Sequence, residues 1–481
     1  MVFSDLFFLF VFIPAFMLMY FAAAIADRNI YGASDSSRNR FKNLALVLFS
    51  LIFYAWGEPV YVFLMLISVF FNFHFGLLIG KSRRHRRAAL VGGLIFNVLV
   101  ICTFKYLGFF AQILNECGLG VPVPHIALPI GISFYTFQSI SYLMDVYRGV
   151  SCAQRRFSDL LLYISMFPQL VAGPIVRYQT VAEEIQDRRV SAQDFADGSY
   201  RFLIGLGKKV IIANQLSEIS GQFLADGLNS LSTAGAWVGI IAFTLQIYFD
   251  FSGYSDMAIG MGRCLGFHFN ENFRHPYCCT SITDFWRRWH ISLGSFFRDY
   301  VYIPMGGNRR HQALNILAVW FLTGMWHGAS WNFIIWGLYF GVIVMLEKYT
   351  LLRVQDRIPR IVLHAYSLLL VVTGWGIFYF DDFGSMQTFF KAFTGNGQSL
   401  TDFVSLAAIT DNFWLWIVAV MFCMPLRHVA SKLLGRMLGH GTAIHGSAVL
   451  CARVSISVVL LLLSVALLVG ATNNAFIYTR F

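Results

Sequence analysis

The sequence predicts an all-α, polytopic membrane protein, and three observations carry that expectation. Of 481 residues, 57% are hydrophobic and 13% charged, with a mean hydropathy of +0.62; a soluble domain carries about 25% charged residues, so lipid must solvate this chain. The apolar residues gather into runs close to the length a helix needs to cross a bilayer. The cations fall in short groups between those runs, as they do in loops held on the cytoplasmic side. The net charge of +11 therefore reads as membrane-surface anchoring and not as a nucleic-acid footprint. Aromatic residues, 17% of the chain, suit interfacial belts and tight helix packing.

Taken in order, apolar runs lie near 6–26, 43–56, 59–80 and 88–113. The first ends in Ala24-Ile25-Ala26, which looks like a signal cleavage site. Asp5, not a cation, precedes it, so an uncleaved helix with its N-terminus outside is expected. The cluster Lys81-Ser82-Arg83-Arg84-His85-Arg86-Arg87 anchors one loop in the cytoplasm. Gly57-Glu58-Pro59 then becomes an outside turn, and the loop with Arg28, Arg38, Arg40 and Lys42 a cytoplasmic one. Beyond residue 120, Pro129-Ile130-Gly131, Phe167-Pro168-Gln169 and Ala172-Gly173-Pro174 interrupt short apolar runs. Broken or re-entrant helices and ordinary kinked spans both fit that pattern. Further runs near 233–249, 314–325, 331–347, 361–380, 403–426 and 449–471 bring the total to about eleven transmembrane or re-entrant segments. A single membrane domain over 1–481 is expected, with its polar motifs at 250–331. Within it, 270–313 is rich in Arg, Trp, Asn, Pro and Gly and reads as an in-folded or interfacial segment.

Several chemistries lack their motifs. The eight cysteines are scattered without a C-x-x-C pair, Cys278-Cys279 are adjacent, and H-E-x-x-H is absent, so neither a disulfide framework nor a metal site is expected. G-x-S-x-G is missing, which removes the serine-hydrolase elbow. Gly205-x-Gly207 and Gly260-x-Gly262-x-x-x-Gly266 follow no strand and read as helix-packing glycines, not nucleotide loops.

What remains is a concentration of polar residues where they are costly. Asp284-Phe285-Trp286-Arg287-Arg288-Trp289-His290 precedes Trp326-His327-Gly328, which sits between apolar runs. Ionisable residues at membrane depth are functional-site candidates, because burying them without partners is expensive. Histidine is the natural general base near neutral pH, although a buried histidine can equally be a satisfied structural one. Arginine binds phosphate or carboxylate and tryptophan stacks on flat or cationic groups. An interfacial helix would use Trp286, Arg287 and Arg288 equally well, on lipid headgroups. It would not account for Asp284 or His290. Asp250 and Asp256 flank Phe251-Ser252-Gly253-Tyr254-Ser255 and read as a polar pocket, as partners for Arg287, Arg288 or His290, or as a simple loop.

These motifs closely resemble the membrane-bound O-acyltransferase family, and within it the alginate O-acetyltransferase branch. The resemblance rests on Asp250 to Asp256, Asp284 to His290, Ile291-Ser292-Leu293-Gly294, Arg298 to Pro304 with Gly306-Gly307-Asn308-Arg309, and Trp326-His327-Gly328. Met1-Val2-Phe3-Ser4, Leu128 to Gln138, Phe167-Pro168-Gln169 with Ala172-Gly173-Pro174-Ile175, Lys208-Lys209 and the ending Asn474 to Phe481 are similar too, so the likeness covers nearly the whole chain. Tyr379 after Gly374-Trp375-Gly376-Ile377-Phe378 and Ala475 depart from the branch, where Arg and Pro are common; they bear on the polymer pathway and not on acyl transfer.

The resemblance implies a helical funnel with His327 at its narrow point and His290 in a supporting role. It implies an acyl donor on the cytoplasmic side, acetyl-CoA, with no resident cofactor or metal, and a periplasmic SGNH-hydrolase-like partner that acetylates an exopolysaccharide. The setting would be a bacterial inner membrane. In that scheme His327 deprotonates an acceptor hydroxyl, with a transient acetyl-His327 as the rival route. His290 orients the acceptor or stabilises the intermediate. Asp250 pairs with a cation, and Arg287 and Arg288 attract donor phosphates or headgroups; Asp284, Trp286 and Trp326 complete the candidate site. The alternatives are a D-alanyl or other acyltransferase for teichoic acid or cellulose, and a polysaccharide transporter or channel.

Overall fold

The computed structural model of the protein describes residues 1–31, 39–81, 84–124, 126–171, 173–426, 432, 443–471 and 476. Arg38, Ser82, Arg83, Ala172 and, apart from Phe476, the ending 474–481 lie outside the described residues. Among the described residues every regular element is helical and no strand occurs. The chain is an all-α, multi-pass membrane protein. Two compact units form, Met1–Phe202 with Tyr254–Glu271, and Leu203–Gly253 with Asn272–Phe481.

The first unit holds α1 (Ile13–Tyr31), α2 (Arg40–Gly57), α3 (Tyr61–Lys81), α4 (Arg86–Ile101), α5 (Leu107–Glu116), α6 (Ile132–Arg148), α7 (Phe157–Ser165), α8 (Phe167–Leu170), α9 (Tyr178–Gln186) and most of α10 (Ala192–Gly207). A π turn at Cys102–Tyr106 joins α4 to α5, so Arg86–Glu116 is one apolar span of 31 residues. Buried amides tie α3 to α4: Asn97 Nδ2 donates to Asn72 Oδ1 at 2.7 Å, and Asn72 Nδ2 returns the bond at 3.2 Å. Each amide thereby satisfies the other where lipid and packed helices offer no water. The Pro/Gly interruptions resolve into short helices. Gly131, at φ 77°, turns the chain into α6. Helices α7 and α8 have 9 and 4 residues and are buried throughout apart from Phe157 and Ser158. The freed Phe167 N–H donates to Ser50 Oγ at 3.1 Å, so protein covers the broken backbone as membrane burial requires.

The second unit holds the end of α10, α11 (Asn214–Gly221), α12 (Thr233–Cys264) as far as Gly253, α13 (Ile282–Arg288), α14 (Ile291–Phe297), α15 (Gln312–His327), α16 (Trp331–Tyr349), α17 (Leu351–Val354), α18 (Arg360–Tyr379), α19 (Phe383–Lys391), α20 (Phe403–Thr410), α21 (Phe413–Phe422) and α22 (Ala443–Val469). Of the glycines read as helix-packing residues, Gly260 and Gly205 lie at helix contacts, whereas Gly266, at φ 83°, sits in the turn after α12. A Cβ on Gly260 would stand 2.6 Å from the Gly198 carbonyl in the first unit, and one on Gly253 2.8 Å from the Gly205 carbonyl in the second.

Helices α15 and α16 approach most closely where Gly324 faces Gly337. A Cβ on Gly337 would lie 3.0 Å from Gly324 Cα and would collide with the Trp320 carbonyl oxygen. Both obstacles are backbone and cannot swing aside. Gly337→Ala is therefore expected to push the helices apart and cost about 1–3 kcal/mol, the usual penalty for overpacking. Thermal unfolding of the purified protein in detergent measures it.

Among the described residues seven helices are long and apolar enough to cross a membrane, or eight if α20 and α21, bent by 63° at their junction, count as one span. The sequence-based total of about eleven also included shorter segments. Helix α15, read as a span over 314–325, has 16 residues where a span needs about 20. The stretch 270–313 holds a 3-10 turn at Pro276–Cys278, the short helices α13 and α14, a π turn at Arg298–Tyr302 and the first residues of α15, and no span of membrane length, as its composition predicts.

Candidate functional site

Apart from Asp256, the candidate residues belong to the second unit, and α13 organises them. Ser281 caps its start, with Oγ accepting from the Asp284 N–H at 2.9 Å. Glu347, buried in the last turn of α16, completes the cap from across the fold. Its carboxylate accepts from Ile282 N, Thr283 N and Thr283 Oγ1, each at 2.7 Å. A negative charge at a helix N-terminus is favourable, and here it also satisfies orphan donors that lack water. Glu347→Ala leaves those donors buried without that acceptor. The expected cost is about 1–3 kcal/mol, read as a lower melting temperature with Glu347→Gln intermediate.

The capped helix determines where its own motif points. Asp284 Oδ1 pairs with Arg288 Nε at 2.9 Å, one turn on, and its Oδ2 accepts from Thr280 N at 3.3 Å. Asp284 is thus part of the helix's own electrostatics and is no partner of a histidine. Arg287 is exposed and has no ion pair among the described residues. Trp286 packs edge-on against Trp320, Phe340 and Trp336 at centroid distances of 4.8, 5.0 and 5.5 Å. Trp289 is buried against Trp375 at 5.0 Å and Phe273 at 5.1 Å. The tryptophans of this motif therefore form a packed aromatic wall between α13, α15, α16 and α18.

His290 follows in the left-handed region at φ 45°, which costs an L-residue about 1–2 kcal/mol. The turn is paid back by Asn272, whose side-chain and backbone oxygens bind three consecutive residues. Asn272 O accepts from Ile291 N at 3.0 Å. Asn272 Oδ1 lies 3.1 Å from His290 Nδ1, 3.3 Å from Ser292 N and 2.9 Å from Ser292 Oγ. The imidazole is buried, packed edge-on to Phe251 at 4.6 Å and to Trp326 at 5.7 Å. Burial pushes its pKa down to about 3, so the ring is neutral.

His327 ends α15, where Gly328 takes the chain into an extended conformation. Only 4% of it is exposed. Trp326 and Trp336 flank its ring at 4.9 Å each, and Phe378 at 5.4 Å. Trp326 thus contacts both imidazoles, and the tertiary structure brings together two histidines from different helices. A Cβ on Gly328 would collide with the Phe333 ring, so only glycine fits after His327.

Asp250 meets a cation, but not one of those the sequence pointed to. Lys209 Nζ lies 2.6 Å from Asp250 Oδ1, with both side chains buried. The next residue, Phe251, rests on His290, so the ion pair anchors the stretch of α12 that backs that ring. Asp256, read with it, lies in the first unit and pairs with Arg201 at 2.8 Å. Sequence reasoning missed Asn272, Glu347, Trp336 and Phe378. Each is an ordinary residue in a polar loop or an apolar helix, with no local signal. Among the described residues no group of three His, Cys, Asp or Glu side chains is placed to hold a metal.

Two buried histidines thus share Trp326 in a helical membrane chain, and residues 153–383 match the model of the MBOAT, membrane-bound O-acyltransferase, family. The chain belongs to that family and is an O-acyltransferase. It is 41% identical to "Probable alginate O-acetylase AlgI" of Azotobacter vinelandii over 79% of this chain and 75% of that protein. It is 34% identical to a peptidoglycan O-acetyltransferase of Helicobacter pylori over 83% of this chain and 81% of that protein. With a teichoic acid D-alanyltransferase of Bacillus subtilis it shares 27% identity over 56% of this chain and 70% of the relative.

Proposed function

We propose that this chain, in a bacterial inner membrane, moves an acetyl group from cytoplasmic acetyl-CoA to a serine hydroxyl of a periplasmic SGNH-hydrolase-like partner, which O-acetylates an exopolysaccharide such as alginate. The observation that carries the reading is the placement of His327 and His290 on one tryptophan, Trp326, inside an aromatic shell, in a chain 41% identical to the alginate O-acetylase. The relatives that support acetyl over D-alanyl are also the more similar ones.

In this mechanism His327 takes the proton of the acceptor hydroxyl as its oxygen attacks the thioester carbon. The C–S bond breaks, the proton passes to the departing sulfur, and an alcohol and a thioester become an ester and a thiol. General-base assistance of this kind contributes about 10²–10⁴-fold. The aromatic walls of Trp326, Trp336 and Phe378 keep bulk water from the reacting carbonyl and so disfavour hydrolysis. Arg287, exposed at the end of α13, attracts the donor's phosphates. His290, beside His327, orients the acceptor or stabilises the intermediate.

The deciding experiment uses the protein in sealed vesicles with radiolabelled acetyl-CoA outside and the purified SGNH-type partner within. Label appearing on the enclosed partner supports the reading. Transfer only to a partner on the donor's own side, or none at all, overturns the trans-bilayer scheme. Label from D-alanyl carrier protein in place of acetyl-CoA would favour the teichoic-acid type of reaction.

A further inference from the structure

We infer that Asn272 locks His290 in the Nδ1–H tautomer, so that Nε2 presents a lone pair and His290 binds a protic group of the acceptor, not the oxyanion of the intermediate. The inference rests on the acyltransferase reading above and decides between two roles that reading allows for His290.

One donor at this turn has an identity beyond choice. The Ser292 backbone nitrogen carries a hydrogen and can only donate, and it faces Asn272 at 3.3 Å. The atom it meets must be the amide oxygen; an NH2 there would set hydrogen against hydrogen. Ser292 Oγ, at 2.9 Å from the same oxygen, donates to it as well. His290 Nδ1 lies 3.1 Å from that oxygen. An unprotonated Nδ1 would oppose two lone pairs, so Nδ1 carries the proton. The hydroxyl proton of Ser292 is already committed to Asn272, and the 3.4 Å contact between Ser292 Oγ and His290 Nδ1 can only be one the ring donates.

In a neutral imidazole the second nitrogen is then an acceptor. His290 Nε2 is buried and has no hydrogen-bond partner among the described residues, on a ring that is 2% exposed. A lone pair repels a developing oxyanion and attracts O–H or N–H. Of the two reactants, the acceptor brings such groups to the reacting end, whereas the thioester carbonyl brings none. Asn272 is therefore a positioning residue that acts through His290. Its own Nδ2 has no partner either, which makes Asn272→Asp a substitution that keeps every accepted bond.

The first measurement needs no turnover. Protein labelled with ¹⁵N-histidine is compared with His290→Gln protein to assign the ring signals by NMR. The expected spectrum has Nδ1 protonated and Nε2 bare. In Asn272→Asp protein the carboxylate should draw a second proton onto the ring, and in Asn272→Leu protein the preference for Nδ1–H should be lost. The second measurement is steady-state transfer by the full-length protein. Asn272→Asp is expected to raise KM for the acceptor at least tenfold while KM for acetyl-CoA stays within twofold. A protonated Nε2 in the unsubstituted protein, or a loss confined to kcat with both KM values unchanged, overturns the inference. Transfer that survives without His327 would overturn the mechanism proposed above, while the tautomer result would stand.

Discussion

Replacing His327 by alanine should abolish acyl transfer while the protein still inserts into the membrane. The imidazole is the proton acceptor of the proposed step, and the rings that flank it, Trp326, Trp336 and Phe378, cannot take up a proton in its place. Loss of the base alone removes about 10²–10⁴-fold. The truncation also opens space among three aromatic rings and weakens the fold, so the folding effect must be separated from the chemical one. His327→Gln does this, since it keeps most of the volume and hydrogen-bonding capacity but cannot take up a proton. Both variants should appear in the membrane fraction at amounts near that of the parent, with acetyl content of the polymer at background. Acetylation retained in His327→Gln would remove His327 from the role assigned here.

The second large effect is expected at Lys209. Its ammonium lies 2.6 Å from Asp250, and the two side chains are 6% and 1% exposed. Breaking a buried pair by removing one partner costs about 3–5 kcal/mol, because a charge is left in a medium that cannot solvate it. Lys209→Met should therefore lower the yield of folded protein sharply. Adding Asp250→Leu removes the stranded carboxylate and should restore much of the loss, since an apolar pair of similar volume is often neutral. The comparison of the single and double variants by size-exclusion profile after heating is the measurement. If the double variant is no more stable than the single, the pair is not the source of the effect. Because Phe251 rests on His290, the stable double variant also reveals through its KM for the acceptor whether the anchored stretch of α12 matters to the ring.

Much of this could be read without coordinates. Composition identified the solvent as lipid, since 57% hydrophobic residues cannot stay dissolved in water. The spans at 59–80, 331–347, 361–380 and 449–471 coincide to within two residues at their ends with helices Tyr61–Lys81, Trp331–Tyr349 and Arg360–Tyr379 and with the end of Ala443–Val469, because the hydropathy of a span is a local sum over its own residues. His290 and His327 stood out for the same reason: an ionisable residue beside apolar runs is visible in a short window. Asp256, one of the acids read as a partner for Arg287, Arg288 or His290, fared differently. It pairs with Arg201, which no local pattern could select, while Asp284 pairs with Arg288 one turn along its own helix.

The sequence by itself determined the class of protein, an all-helical membrane chain, and singled out the two imidazoles on which the proposed chemistry centres. Only the tertiary structure decided what surrounds them. That Trp326 touches both rings, that Glu347 caps the helix leading to His290, that Lys209 answers Asp250 and that Asn272 grips the turn at 290–292 are facts of long-range packing. The reason is physical: hydropathy and helix length depend on neighbours along the chain, whereas the partner of a buried charge or amide is set by which helices close on one another.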